Sequence, residues 1–383
     1  MSTQYLDKSG LCFLHGRRWD ESPAASQPSG CIKGNTSIRE ALQDFYTRKV
    51  EVPEHIAELR KAKLDQILPG LLARVQRNTS RVRCLDAIYV GSTVEDLVIR
   101  GHADYNVIVP LSVVGTITPV SAGKPEQFVL RLPRLFNIKE VNEDRWAGWR
   151  GERNFLCPTL ANKMFLKFIK KWHEVRQHSD TVVITNSGVK TSPVRVVTSL
   201  GADATNENTA VTIEIIPGIV LGKKSADTRR LFIAKDFCGK EVSATDDPVW
   251  TQVSYESERA LLLKVNRADG SCRARALKIF KTLRSKDDTL AHLTSYQMKH
   301  ALLHLCDEQV DQSRWQRRTI EHCFAEILCK LTDFISRREL PHFFVSNLNL
   351  LEDIPERTLA KVESRLRVLS KREKELGRLL SKE

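Results

Sequence analysis

The sequence predicts a core of mixed strands and helices, α/β or α+β, followed by a largely helical C-terminal part. Three observations carry this. Short β-rich runs fill residues 82–234, one helical stripe interrupts them, and after about Asp246 apolar residues recur at helical spacing. At 383 residues the chain exceeds one ordinary domain, so two units are expected.

The elements follow in chain order. Residues 1–34 are polar, with Ser, Pro and Gly, and Asp7, Asp20 and Glu21 interrupt them. They lack the apolar region of a signal peptide and are expected to form a disordered leader. Ser37-Ile-Arg-Glu40 has the capping-box form, and Ile38, Leu42, Phe45 and Tyr46 follow at helical spacing. After Pro53 the period resumes from Ile56 to Val75, where Pro69-Gly70 is expected to kink or break the helix. Arg60, Lys61, Lys63, Arg74 and Arg77 read as its solvated face. Strand candidates are 85–90, 105–111, 128–132, 181–184, 194–197, 211–216 and 231–234. Leu160, Met164, Phe168, Trp172 and Val175 form one helical stripe, opened by Pro158. Later helices are expected over 261–265, 274–283, 295–305, 320–335 and 357–380. The leucines of the last suit either a short coiled coil or packing on its own domain. The expected units are 35–245, 246–355 and 356–383.

A net charge of +13 points to an anionic partner: nucleotide, nucleic acid or an acidic membrane surface. Nine Cys without a C-x-x-C pair predict free thiols in a reducing, cytoplasmic setting. No run approaches the roughly 20 apolar residues that span a bilayer.

The most informative stretch is Val90-Gly91-Ser92-Thr93-Val94-Glu95-Asp96-Leu97, followed by Asp104-Tyr105-Asn106. A strand ending in Gly91-Ser92 turns tightly and presents N–H groups and a hydroxyl to a phosphate. Strand alternation puts Asp104 and Asn106 on one face. Carboxylates there suit Mg²⁺ on a triphosphate, and Glu214, set among β-branched residues, is the candidate third acid. Such a site performs two-metal phosphoryl transfer.

These residues resemble the nucleotidyltransferase signature of cyclic GMP-AMP synthase and its Mab (male-abnormal) relatives. Further matching stretches are Cys272-Arg273, Leu277-Lys278-x-x-Lys281, Leu293-Thr294-Ser295-Tyr296-Gln297-Met298-Lys299, Trp315, Leu340-Pro341-His342-Phe343-Phe344 and Asn347-Leu348-Asn349-Leu350. The resemblance runs from about residue 37 to 355. It implies an α+β, bilobed nucleotidyltransferase fold, with a mixed β-sheet core lobe and a helical second lobe. By position it implies Gly91 and Ser92 at nucleotide phosphate, and Asp104 and Glu214 as metal acids for Mg²⁺ or Mn²⁺. Lys281 and Ser295 would line the phosphate side, Tyr296 would stack on a base, and Lys235 would face the cleft.

The match also departs. Asn106 stands where active members carry a carboxylate, so catalysis is expected to be impaired while nucleotide binding survives. Asp96 is the alternative acid. The segment 266–272 has no Cys/His cluster where the family's zinc insertion lies, and His304, Cys306, His322 and Cys323 read as core or surface residues, so no zinc is expected. Asn106–Leu111, Leu277-Lys-Ile and Leu290–Ser295 also resemble the mitochondrial dynamics adaptor proteins, which are catalytically dead nucleotide binders. Three functions follow as expectations. The first is a nucleotide-binding protein with impaired catalysis. The second is an active cyclic-dinucleotide synthase, an innate immune sensor triggered by double-stranded RNA and using ATP and GTP. The third is an adaptor that self-associates through 357–380.

Overall fold

The computed structural model describes residues 36–78, 83–101, 104–112, 117–135, 146–176, 182–185, 193–200, 210–222, 230–235, 249–308 and 319–382. The expected leader over 1–34 and Trp315 lie outside them.

Helix α1 (Thr36–Phe45) continues into a π-helical turn, Tyr46–Val50. Ser37 therefore lies within the first turn rather than ahead of it. Helix α2 (Glu54–Asn78) continues through Pro69-Gly70, where a kink or break was expected, without a break. Proline removes one backbone hydrogen bond there. Ile67, Leu68, Leu71 and Val75, all buried, hold both halves against the sheet. Arg60 also departs from the solvated face expected of it: it is 3% exposed.

Eleven strands form one mixed sheet among the described residues. They are β1 (Arg83–Cys84), β2 (Ile88–Val90), β3 (Asp104–Ser112), β4 (Thr118–Ala122), β5 (Lys124–Arg131), β6 (Phe155–Leu156), β7 (Val182–Thr185), β8 (Val194–Ser199), β9 (Ala210–Leu221), β10 (Arg230–Ile233) and β11 (Val249–Val253). The order β1-β3-β9-β10-β11-β5-β4 carries one parallel pair, β3 with β9; the other pairs are antiparallel. Strand β9 changes partner along its length, from β8 over Ala210–Ile215 to β10 over Gly218–Leu221. Pro217, which has no N–H to donate, sits at that change. A Cβ on the next residue, Gly218, would come 2.7 Å from Ile108 Cγ2, so the close approach of β9 to β3 requires glycine. Strand β11 lies in a stretch expected to be helical. It alternates Val249, Thr251 and Val253 against Trp250 and Gln252, and pairs with both β10 and β5.

Helix α3 (Pro158–Arg176) joins α2 on one face of the sheet. Leu71, Val107, Phe165, Ile213 and Trp250 are among the residues of that core. A second core gathers α1 with α4 (Tyr255–Asp269), α5 (Cys272–Ser285), α6 (Ser295–Glu308), α7 (Ile320–Ser336), α8 (Glu356–Lys371) and α9 (Glu373–Ser381). The architecture is thus α+β with a mixed sheet.

The last predicted helix is divided at Arg372, whose backbone is extended (φ −118°, ψ 91°). Leu359, Val362, Leu366, Leu369, Leu376 and Leu380 are all buried in the chain's own helical core. At about 2 kcal/mol each, this burial holds α8 and α9 in place and leaves no seam for a coiled coil. Of the two arrangements expected for 357–380, packing on its own domain is the one observed. Among the described residues, Cys84, Cys157, Cys272, Cys306 and Cys323 carry free thiols, as expected. No helix among the described residues is long and apolar enough to cross a membrane.

Candidate functional site

Strand β2 ends beside the acid-bearing strand, with Val90 opposite Asn106. The chain leaves it through Gly91, at φ +88°, where a side chain would be strained. A Cβ on Gly91 would also come 3.0 Å from Asn106 Nδ2. The N–H groups of Val94 and Glu95 donate to Gly91 O at 3.1 and 3.2 Å, and Leu97 N–H donates to Ser92 O at 2.8 Å. These bonds shape a tight turn that presents Ser92.

Parallel pairing of β3 with β9 puts Asn106 beside Glu214, and β8 places Arg195 on the other side of Glu214. Glu214 is 6% exposed. Its Oε1 accepts from Arg195 Nε at 2.8 Å, and its Oε2 pairs with Lys235 Nζ. Lys235, just past β10, also donates to Asn106 Oδ1 at 3.1 Å. Burial alone would raise the Glu214 carboxyl; Lys235 and Arg195 outweigh it and hold the group below its ordinary 4.5. Asp104 is exposed at the start of β3 and is not among the residues lining the cleft. The buried Arg60 guanidinium lies within electrostatic reach of it.

The opposite wall is helical. Lys281 on α5 is buried, and its Nζ donates to Ser92 Oγ at 2.9 Å and to Leu97 O at 2.5 Å. Burial, only partly offset by Glu95, lowers this ammonium to about 8. Asp96, the alternative acid, is instead paired with Lys278 Nζ at 2.7 Å and does not line the cleft. Helix α6 supplies Ser295, Tyr296 and Lys299. Lys299 Nζ lies between Glu95 Oε1 (3.0 Å) and Glu258 Oε2 (2.5 Å), all three side chains being buried. Burial alone would lower the Lys299 ammonium, but the two carboxylates hold it above its ordinary value.

A hydrogen-bonded chain continues from this triad. His342 Nδ1 accepts the N–H groups of Phe344 (3.1 Å) and Val345 (2.9 Å), so its proton sits on Nε2, 2.8 Å from the Tyr296 hydroxyl. Tyr296 O–H then donates to Glu258 Oε1 at 3.1 Å. Burial, with the charge of Lys299, pushes His342 down to about 3, so it is neutral. Glu258, His300 and His342 bring ligand-type atoms within 4.8 Å of one another. However, His300 Nδ1 also accepts a backbone N–H, from Phe343 at 3.1 Å. A metal-bound imidazole donates through its far nitrogen. Here both far nitrogens accept, which does not suit a metal.

The cleft between these walls has a cavity volume of about 170 Å³ and opens to solvent. Of the residues singled out from sequence, Gly91, Ser92, Asn106, Lys235, Lys281, Ser295 and Tyr296 all line it. Glu214 meets it through Lys235, and Asp104 stands outside. Sequence reasoning missed Glu95, Tyr255 and Lys299 as lining residues. Lys299 was legible in principle, being one helical turn after Ser295 on the same face. Tyr255 was not, because it enters from a segment whose strand-to-helix junction was read as helix throughout.

Residues 272–367, from α5 into α8, match the Mab-21 protein HhH/H2TH-like domain. Over 353 residues the chain is 20% identical to cyclic GMP-AMP synthase-like receptor 3 of Stylophora pistillata. That similarity covers 90% of this chain and 98% of the coral protein.

Proposed function

We propose that this chain is a cyclic GMP-AMP synthase-like, Mab-21-related protein whose cleft binds a nucleotide such as ATP or GTP, with impaired turnover; its similarity to both supports this reading. In this reading the sheet and the C-terminal helices act as the two lobes of a nucleotidyltransferase. The observation that carries it is the convergence of Ser92, Lys235 and Lys281 with Tyr296 on one cleft whose acid strand carries Asn106. Ser92 and Lys281, already hydrogen-bonded to one another, hold phosphate oxygens. Ser295 lies beside them at the start of α6, and Tyr296 offers its ring to a base. The Tyr296 hydroxyl, bonded to His342 and Glu258, fixes the orientation of that ring.

Relatives with a full carboxylate set would use Mg²⁺ or Mn²⁺ to stabilise the leaving pyrophosphate. The residues here do not fit such an ion. Asn106 is neutral and engaged by Lys235, Glu214 faces two cations, and Asp104 lies off the cleft lining. A step that relies on transition-state charge stabilisation is then expected to slow by about 10²-fold or more.

The test is nucleotide binding and turnover on the same preparation. Radiolabelled ATP and GTP are supplied with Mg²⁺ or Mn²⁺, with and without long double-stranded RNA, beside Asp104→Ala. Binding without product supports the proposal. Product that disappears in Asp104→Ala makes the protein an active synthase and overturns it, and product only with RNA identifies RNA as the trigger. Absence of nucleotide binding under every condition also overturns it.

A further inference from the structure

The buried acid of the strand set already has its cations supplied by the protein. Glu214 holds Arg195 on one oxygen and Lys235 on the other. Asp104 lies in the field of the buried Arg60. Between Asn106 and Glu214, where register sets two side chains edge to edge, the ammonium of Lys235 bridges them. An ammonium is a donor only, and it takes up the oxygens that a hard divalent ion would need.

Asn106 is fitted to this arrangement from both ends of its amide. Its oxygen accepts from Lys235, and its Nδ2 packs so close to Gly91 that a Cβ there would come to 3.0 Å. Lys235 itself lines the cleft, and its side chain is 30% exposed, so its charge also faces the bound molecule.

We propose that Lys235 is the resident cation of this cleft: its ammonium takes the position between Asn106 and Glu214, excludes a divalent ion, and lets a phosphate-bearing nucleotide bind without metal. The nucleotide part rests on the function proposed above; the exclusion of a divalent ion does not.

Two measurements on the full chain separate the two. The first is titration of Mn²⁺ alone, followed by the electron paramagnetic resonance of the free ion, on wild type, Lys235→Met and Asn106→Asp/Lys235→Met. Lys235→Gln replaces Lys235→Met if the latter fails to fold. The expectation is no stoichiometric Mn²⁺ on the wild type and binding to the double variant. Stoichiometric Mn²⁺ on the wild type overturns the proposal. So does a folded double variant that binds none, because Lys235 is then not what keeps the ion out. The second is ATP affinity by calorimetry in EDTA and in MgCl₂. Wild-type affinity is expected to agree within about threefold in the two buffers, and to fall about tenfold in EDTA for Lys235→Met. A tenfold loss for wild type on chelation overturns metal-free binding. If ATP binds in neither buffer, the proposed function fails, while the Mn²⁺ titration still decides the place of Lys235.

Discussion

The two walls of the cleft treat charge differently. At the helical wall, Lys299 and Glu258, joined by Glu95 from the turn after β2, are sealed from solvent, with side-chain exposures of 6%, 0% and 3%. On the sheet wall, Glu214 is buried at 8%, but its partners Arg195 and Lys235 are 47% and 30% exposed. A sealed triad cannot exchange partners without exposing a bare charge to a low-dielectric interior. Lysine and arginine heads that reach water can. The helical wall is therefore a fixed frame for Tyr296, and the sheet wall holds the contacts that a ligand can replace.

The largest expected effect breaks the frame. Lys299→Met leaves Glu95 and Glu258 buried without their shared cation and should cost about 3–5 kcal/mol of stability, read by urea unfolding. A loss under about 1 kcal/mol would mean the triad is solvated and the contrast between the walls is false.

An intermediate effect comes from Lys281, which joins the two walls through Ser92. Its ammonium titrates near 8 when folded, against an ordinary 10.5. Below about 8 it is charged in both states, and the folded state bears the cost of a buried charge. Between about 8 and 10.5 the unfolded chain binds the extra proton, so this residue makes stability rise with pH, by up to about 3 kcal/mol. Comparing the pH dependence of unfolding for wild type and Lys281→Met isolates that slope. A phosphate ligand reverses the preference, so binding near pH 9 should take up a proton, visible as a buffer-dependent binding enthalpy.

The smallest effect belongs to the sheet wall. Glu214→Gln removes a carboxylate held below its ordinary range, a contribution present at neutral pH and lost as pH falls through the folded value. With both partners well exposed, solvent screening limits the loss at pH 7 to about 1 kcal/mol. A loss matching that of Lys299→Met would show that the two walls are energetically alike.

Much of the fold was legible because its signals are local. The strand run Tyr105–Leu111, the turn at Gly91-Ser92 and the stripe of Leu160, Met164, Phe168 and Trp172 each show in a short window. The convergence of seven cleft residues was expected from the family resemblance, carried over by position, and not from a local signal. The departures depend on contacts distant in sequence. Strand β11 forms because β5 and β10 offer it two edges, although its sequence is followed at once by helix. Helix α2 passes through Pro69 because the sheet holds both halves. Arg60 is buried where α2 shares a core with β3 and β9, near Asp104.

The sequence by itself determined the α+β composition, the Gly-Ser turn, and the neutral side chain at 106. Spacing and side-chain chemistry act within a few residues, and those suffice for each. Only the tertiary structure decided where the charges are paired. Lys235 meets Asn106 across 129 residues, Lys281 meets Ser92 across 189, and Lys299 meets Glu95 across 204. Electrostatic partners are chosen by distance in space and by burial, and no local pattern records either.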